Sequence, residues 1–158
     1  MDIMSYLLGK KSSGGGADLS KYFTPTISEG TSSVSGFMSM LKTIPETTVV
    51  SGTSLNYAFG DFQGTTIPLI DTSSVTTMTN MFSNATNLTT IPLLNTSNVK
   101  NTGSMFQYCG SLVTVPILDL SSVTFMRYMF RFCPSLSDTS LDNILHNASS
   151  AFLSNVKV

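Results

Sequence analysis

The strongest constraint on this chain is a repeat. Met81-Phe82, Met105-Phe106 and Met129-Phe130 are spaced 24 residues apart, and Ala58-Phe59 holds the same phase with one residue deleted after it. Pro68, Pro92 and Pro116 each precede the next Met-Phe pair by thirteen residues, and Pro45 keeps that distance to Ala58. A unit this short cannot bury an apolar face alone, so the copies must stack on one another. The array begins near Lys42 in a degenerate copy and occupies residues 42–136.

Apolar residues recur at fixed phases: Phe82, Ala85, Leu88, Ile91 and Val99 in one copy, then Phe106, Cys109, Leu112, Val115 and Val123 in the next. Neither a 3.6-residue nor a two-residue period reproduces that spacing over a whole copy. A coil that returns to the same place every 24 residues does. The expected fold is therefore mainly β. Each coil has an extended piece at residues 88–94, a polar turn, a second extended piece from Val99, and a tight helical turn at Met-Phe.

Composition narrows the function. Only 11% of the 158 residues are charged and the net charge is −1, while 25 Ser and 21 Thr supply the missing polarity. With no cluster of Lys or Arg, the chain lacks the electrostatic footprint of a nucleic-acid binder. One His and two Cys, with no Cys-x-x-Cys pair, leave no recognisable metal site, and no cofactor is expected. The nine acids form no convincing pair for general acid–base work, so an enzyme is not expected. No apolar run is long enough to cross a bilayer, and the opening residues make a poor signal peptide because Lys10 and Lys11 follow the apolar part.

The polar turns read Asp71-Thr-Ser-Ser, Asn95-Thr-Ser-Asn and Asp119-Leu-Ser-Ser. A leading Asx side chain in such a turn bonds amides further along. Acids two coils apart would stand about 9–10 Å apart, which favours capping over shared chemistry. Cys109 and Cys133 are one period apart. Stacked strands hold parallel Cβ vectors about 4.8 Å apart, whereas a disulfide needs about 3.5–4.5 Å and crossing vectors, so reduced thiols are favoured.

The pattern Met105-Phe-x-x-Cys109-x-x-Leu112-x-x-Val115-Pro116, with Asp71-Thr-Ser-Ser-Val75-x-x-Met78 as its other half, resembles the BspA-type leucine-rich repeats of bacterial surface proteins. More closely it is similar to the Ser/Thr-rich versions in virion and tail-associated proteins of bacteriophages. The resemblance covers residues 42–141. It implies a short right-handed β-solenoid, leucine-rich-repeat-like, displayed on a surface for adhesion or assembly. The chain departs from it where Ala85 and the Phe62 region lack the motif Cys, and where Thr102-Gly103 replace Met and a polar residue.

The ends carry the rest. Residues 1–16 join an apolar peptide (Ile3, Met4, Tyr6, Leu7 and Leu8) to a Ser/Gly linker, an arrangement that suits an anchoring arm docked on another protein. Openings of this kind also occur in the phage structural proteins that the chain resembles. Residues 17–41 lead into the array. In residues 137–158, Thr139-Ser-Leu-Asp142 reads as a capping box, and Leu141, Ile144, Leu145, Ala148 and Phe152 follow helical spacing, so a helix is expected to cover the open end. His146 falls off that stripe and is expected in solvent.

One surface stands out. Tyr108, Phe125, Arg127, Tyr128, Arg131 and Phe132 occupy outward phases where earlier copies hold residues such as Ser83 and Asn84. Aromatic residues and Arg are enriched in interface cores. Either these residues form a binding patch for a host glycan, a protein neighbour or a symmetry mate, or several tuck under the C-terminal helix. The expected function is that of a non-enzymatic phage virion structural or display protein, present in many copies or as a homo-oligomer and attached to other virion proteins by its N-terminus. The alternatives are a bacterial cell-surface adhesin module and, more distantly, a glycan-active enzyme.

Overall fold

Copies of the repeat lie one above the next in the computed structural model, which describes residues 26–27, 43–44 and 49–146. Strand β1 (Thr26–Ile27) pairs in parallel with β2 (Val49–Val50), matching Thr26 with Val49 and Ile27 with Val50. Beyond them, strand-type pairing between copies is limited to single parallel bridges. Ser54, Thr77, Asn101 and Phe125 form one column of bridges, and Thr90 pairs with Thr114. Around residues 88–94 the structure has this one bridge and no continuous strand. The prolines account for it in part: Pro68, Pro92 and Pro116 share one phase and lack the N–H that a ladder would use.

The Met-Phe segment is not helical. Its amides alternate between two destinations. The N–H groups of Asn80, Phe82 and Asn84 donate to the carbonyls of Gly103, Met105 and Gln107 in the next copy, at 2.8–2.9 Å. Those of Met81, Ser83 and Ala85 donate back three residues within their own copy, at 2.9–3.2 Å. The same alternation holds around Phe59 and Phe106. This path requires left-handed backbone twice per copy, at Tyr57, Asn80, Ser104 and Tyr128 and again at Asp61, Asn84, Tyr108 and Phe132, with φ between 54° and 64°.

Between the two left-handed residues of each copy, the Phe side chain faces inward. Phe59, Phe82, Phe106 and Phe130 form one stack, with centroids 5.2–5.3 Å apart and interplanar angles of 4–11°. Each such aromatic contact contributes about 0.5–1.5 kcal/mol beyond area burial. The apolar phases of the two central copies, from Phe82 through Val99 and from Phe106 through Val123, are all buried. Thr102 stands in the Leu55, Met78 and Met126 column, fully buried, and its hydroxyl has no partner among the described residues.

Hydroxyl groups also tie copies together, mostly through main-chain carbonyls. Thr76, Thr89 and Thr124 donate from Oγ1 to the carbonyls of Thr53, Thr65 and Lys100 in the preceding copy, at 3.0–3.2 Å. Each bond of this kind is worth about 1 kcal/mol net and carries no like-charge repulsion along the stack.

Helix α1 (Asp138–His146) follows the last copy. Its N-cap is Ser137, whose Oγ accepts from the Ser140 amide at 3.2 Å and whose carbonyl accepts from Leu141, so the cap lies two residues before the expected Thr139. The buried face carries Ser140 and Ile144. Leu141 and Leu145 are exposed, so the expected stripe is rotated toward a polar contact. Ser140 Oγ donates to the Val113 carbonyl and accepts from the Val115 amide, and Asn143 Nδ2 donates to the Val115 carbonyl at 3.1 Å. The expected stripe members Ala148 and Phe152 lie outside the described residues.

Candidate functional site

The two left-handed phases also determine which side chains face outward. Asn and Asp tolerate this conformation, whereas a bulky L residue there costs about 1–2 kcal/mol. The second copy places Asn80 and Asn84 at these phases, but the last two copies place Tyr108, Tyr128 and Phe132. Backbone strain that the surroundings must sustain marks a position worth a functional question.

Those three rings are exposed and connected. Tyr108 stacks on Phe132 with centroids 4.8 Å apart and a 15° angle. The Arg131 guanidinium lies 4.7 Å from the Phe132 centroid and 5.0 Å from that of Tyr128. Arg127 sits 4.5 Å from the same Tyr128 ring and donates from Nη2 to its hydroxyl at 2.6 Å. The result is a continuous surface, Tyr108–Phe132–Arg131–Tyr128–Arg127. Helix α1 leaves it open, since all five residues are exposed. Phe125 is exposed too, but stands apart with its ring over Gly103. An open groove lined by Asn84, Thr86, Gly110 and Pro134 runs beside Tyr108 and Phe132.

Stacking on aromatic faces holds the guanidiniums in place while their N–H groups remain available to an incoming acceptor. Such a surface can bind flat apolar groups and oxygen-rich anionic groups together. The anchoring residues Ile3, Met4, Tyr6, Leu7 and Leu8 lie outside the described residues.

The acids act as caps. Asp71, Asn95 and Asp119 accept from the amides of Ser73, Ser97 and Ser121 at 2.9–3.2 Å. The Ser73 amide, then its hydroxyl, holds the Asp71 carboxyl below the ordinary range; at Asp119 the Ser121 hydroxyl leads and its amide follows. Both cysteines are free thiols. Cys109 Sγ donates to the Phe82 carbonyl at 3.1 Å and Cys133 Sγ to that of Phe106 at 2.9 Å. Burial pushes their pKa values up to about 12 and about 11. A thiol so raised is a poor nucleophile. His146 is exposed at the end of α1. Among the described residues no three His, Cys, Asp or Glu side chains are grouped to hold a metal ion, and no helix is long and apolar enough to cross a membrane.

Leu69, Leu93 and Ile117 form a second outward column, between 50% and 70% exposed, that reading the sequence for aromatic residues and Arg overlooks. Its signal was the recurring dipeptide Pro68-Leu69, Pro92-Leu93 and Pro116-Ile117.

The stacked copies make this a repeat protein. The chain belongs to the family described as Mycoplasma protein of unknown function, DUF285, whose model matches residues 52–154. No curated protein and no solved structure matches it.

Proposed function

We propose that the protein is a non-enzymatic display module, a short right-handed β-solenoid tethered by its N-terminal peptide to a larger assembly and presenting the Arg–aromatic surface to a partner. The observation that carries this reading is the placement of Tyr108, Tyr128 and Phe132 on left-handed backbone, exposed, where the second copy uses Asn. Strain kept at an exposed aromatic site is explained by recognition more readily than by folding. The assembly is a phage virion: the Ser/Thr-rich copies, and the Lys10-Lys11 and glycine opening, support that placement by resemblance. In the assembly the module is present in many copies.

Mass spectrometry of purified particles tests the placement. The intact chain is expected there, and deleting residues 1–16 should remove it; incorporation unchanged by the deletion defeats the tether. Replacing Tyr108, Arg127 and Arg131 together by Ala is expected to abolish partner binding with the fold intact. A cell-surface adhesin module is the second reading, favoured by a family description that names a bacterium. Recovery of the chain only from cell envelopes would decide for it.

A further inference from the structure

Among the described residues, the alternating amides leave an unfinished row. In three successive copies four amides donate upward: Leu55, Tyr57, Phe59 and Asp61, then Met78, Asn80, Phe82 and Asn84, then Thr102, Ser104, Phe106 and Tyr108. The last set is received by the carbonyls of Phe125, Arg127, Met129 and Arg131. The equivalent donors of the final copy, the N–H groups of Met126, Tyr128, Phe130 and Phe132, have no acceptor among the described residues. Helix α1 meets this end of the array elsewhere, at Val113 and Val115. Phe130, the last ring of the stack, is only partly buried.

Charge is concentrated at the same place. Arg127 and Arg131 are the only arginines of the chain, and both lie among these four donors. Row, ring and charges together define what fits: alternate backbone carbonyls, an apolar side chain to continue the phenylalanine stack, and carboxylates to meet the guanidiniums. Taking the Arg–aromatic surface as the binding surface, as above, we propose that its partner is an extended acidic polypeptide segment that adds to the final copy as the next rung. Residues 147–158, which follow α1 directly, contain no Asp or Glu and one Lys, so charge complementarity disfavours them as that rung.

The test uses the full chain and a fluorescent peptide with a Met-Phe pair flanked by glutamates, followed by anisotropy and amide hydrogen exchange. The peptide is expected to bind and to slow exchange at Tyr128, Phe130 and Phe132 at least tenfold. Arg127→Gln with Arg131→Gln, or lysines in place of the peptide glutamates, should weaken binding at least tenfold, and added salt should weaken it several-fold. Absence of binding, or binding without protection of these amides, overturns the proposal. So does protection already present in the free monomer, which assigns the row to other residues of the same chain, or protection that rises with concentration as dimers form, which assigns it to a second copy. These failures leave the surface itself standing. Unchanged partner binding by the Tyr108, Arg127 and Arg131 triple variant removes the surface and the proposal together.

Discussion

The second copy and the final copy follow the same backbone path with opposite surface chemistry. At the two left-handed phases the second copy has Asn80 and Asn84, which suit the conformation, while the final copy has Tyr128 and Phe132, which strain it. The second copy is also bonded on both sides, whereas the final copy has a neighbour on one side among the described residues. The contrast teaches that a repeat separates its tasks by position. The second copy is built for cohesion, and the last two give up some local stability to carry exposed rings, with both guanidiniums on the final one.

The largest test of that division is in the phenylalanine stack. Phe106→Ala removes a fully buried ring with neighbours on both faces and is expected to cost about 3–5 kcal/mol in urea unfolding. Phe130→Ala, at the end of the stack, should cost clearly less; equal losses would mean that the final copy is as cohesive as the inner ones. Next come the left-handed positions. Asn84→Tyr is expected to destabilise by about 1–2 kcal/mol, and Tyr57→Asn, which removes a half-exposed ring from the first copy, to stabilise by about 1 kcal/mol. Tyr128→Asn gains the same backbone relief but loses both guanidinium contacts, so its stability should change by less than that while partner binding falls.

Thr102→Val removes a buried hydroxyl without a partner, and a gain of about 1 kcal/mol in thermal or urea unfolding is expected. The thiols give a pH test. Because their folded pKa values are raised, the stability they contribute is complete below the unfolded value near 9 and is lost as pH rises toward 11 and 12. Alkylation at pH 8 should be slow for both in the native protein and fast after denaturation, with Cys133 the quicker of the two. The smallest effect is expected at Gly103. An added Cβ would stand 2.6 Å from Phe125 Cε1, but that exposed ring can swing away, so Gly103→Ala should cost under about 1 kcal/mol.

Much of this was legible in the sequence, because a fixed phase dictates burial. The spacing of Phe82, Leu88 and Val99 picked out core positions, and the outward phases of Tyr108, Arg127, Tyr128, Arg131 and Phe132 picked out the exposed cluster. What stayed hidden was the backbone path. Met-Phe reads as a helical turn by composition, but alternate amides bond upward, and only the neighbouring copy decides that. The cap of α1 was misplaced for a similar reason: Ser140 satisfies the Val113 and Val115 backbone, a tertiary demand that no local motif announces. The Leu69, Leu93 and Ile117 column was missed because aliphatic residues at a regular phase read as core, although Ile70, Leu94 and Leu118 beside them face inward instead.

The stacked rings also act as a ruler. Their spacing of 5.2–5.3 Å is the height of one copy, and every copy offers its successor the same set of donors. Duplicating the 24 residues from Val99 to the residue before Val123 would therefore raise the Arg–aromatic surface by one such step without changing its chemistry. Height in this molecule is counted in whole copies, so gain or loss of a unit would move the proposed binding surface by one step while leaving its residues unchanged.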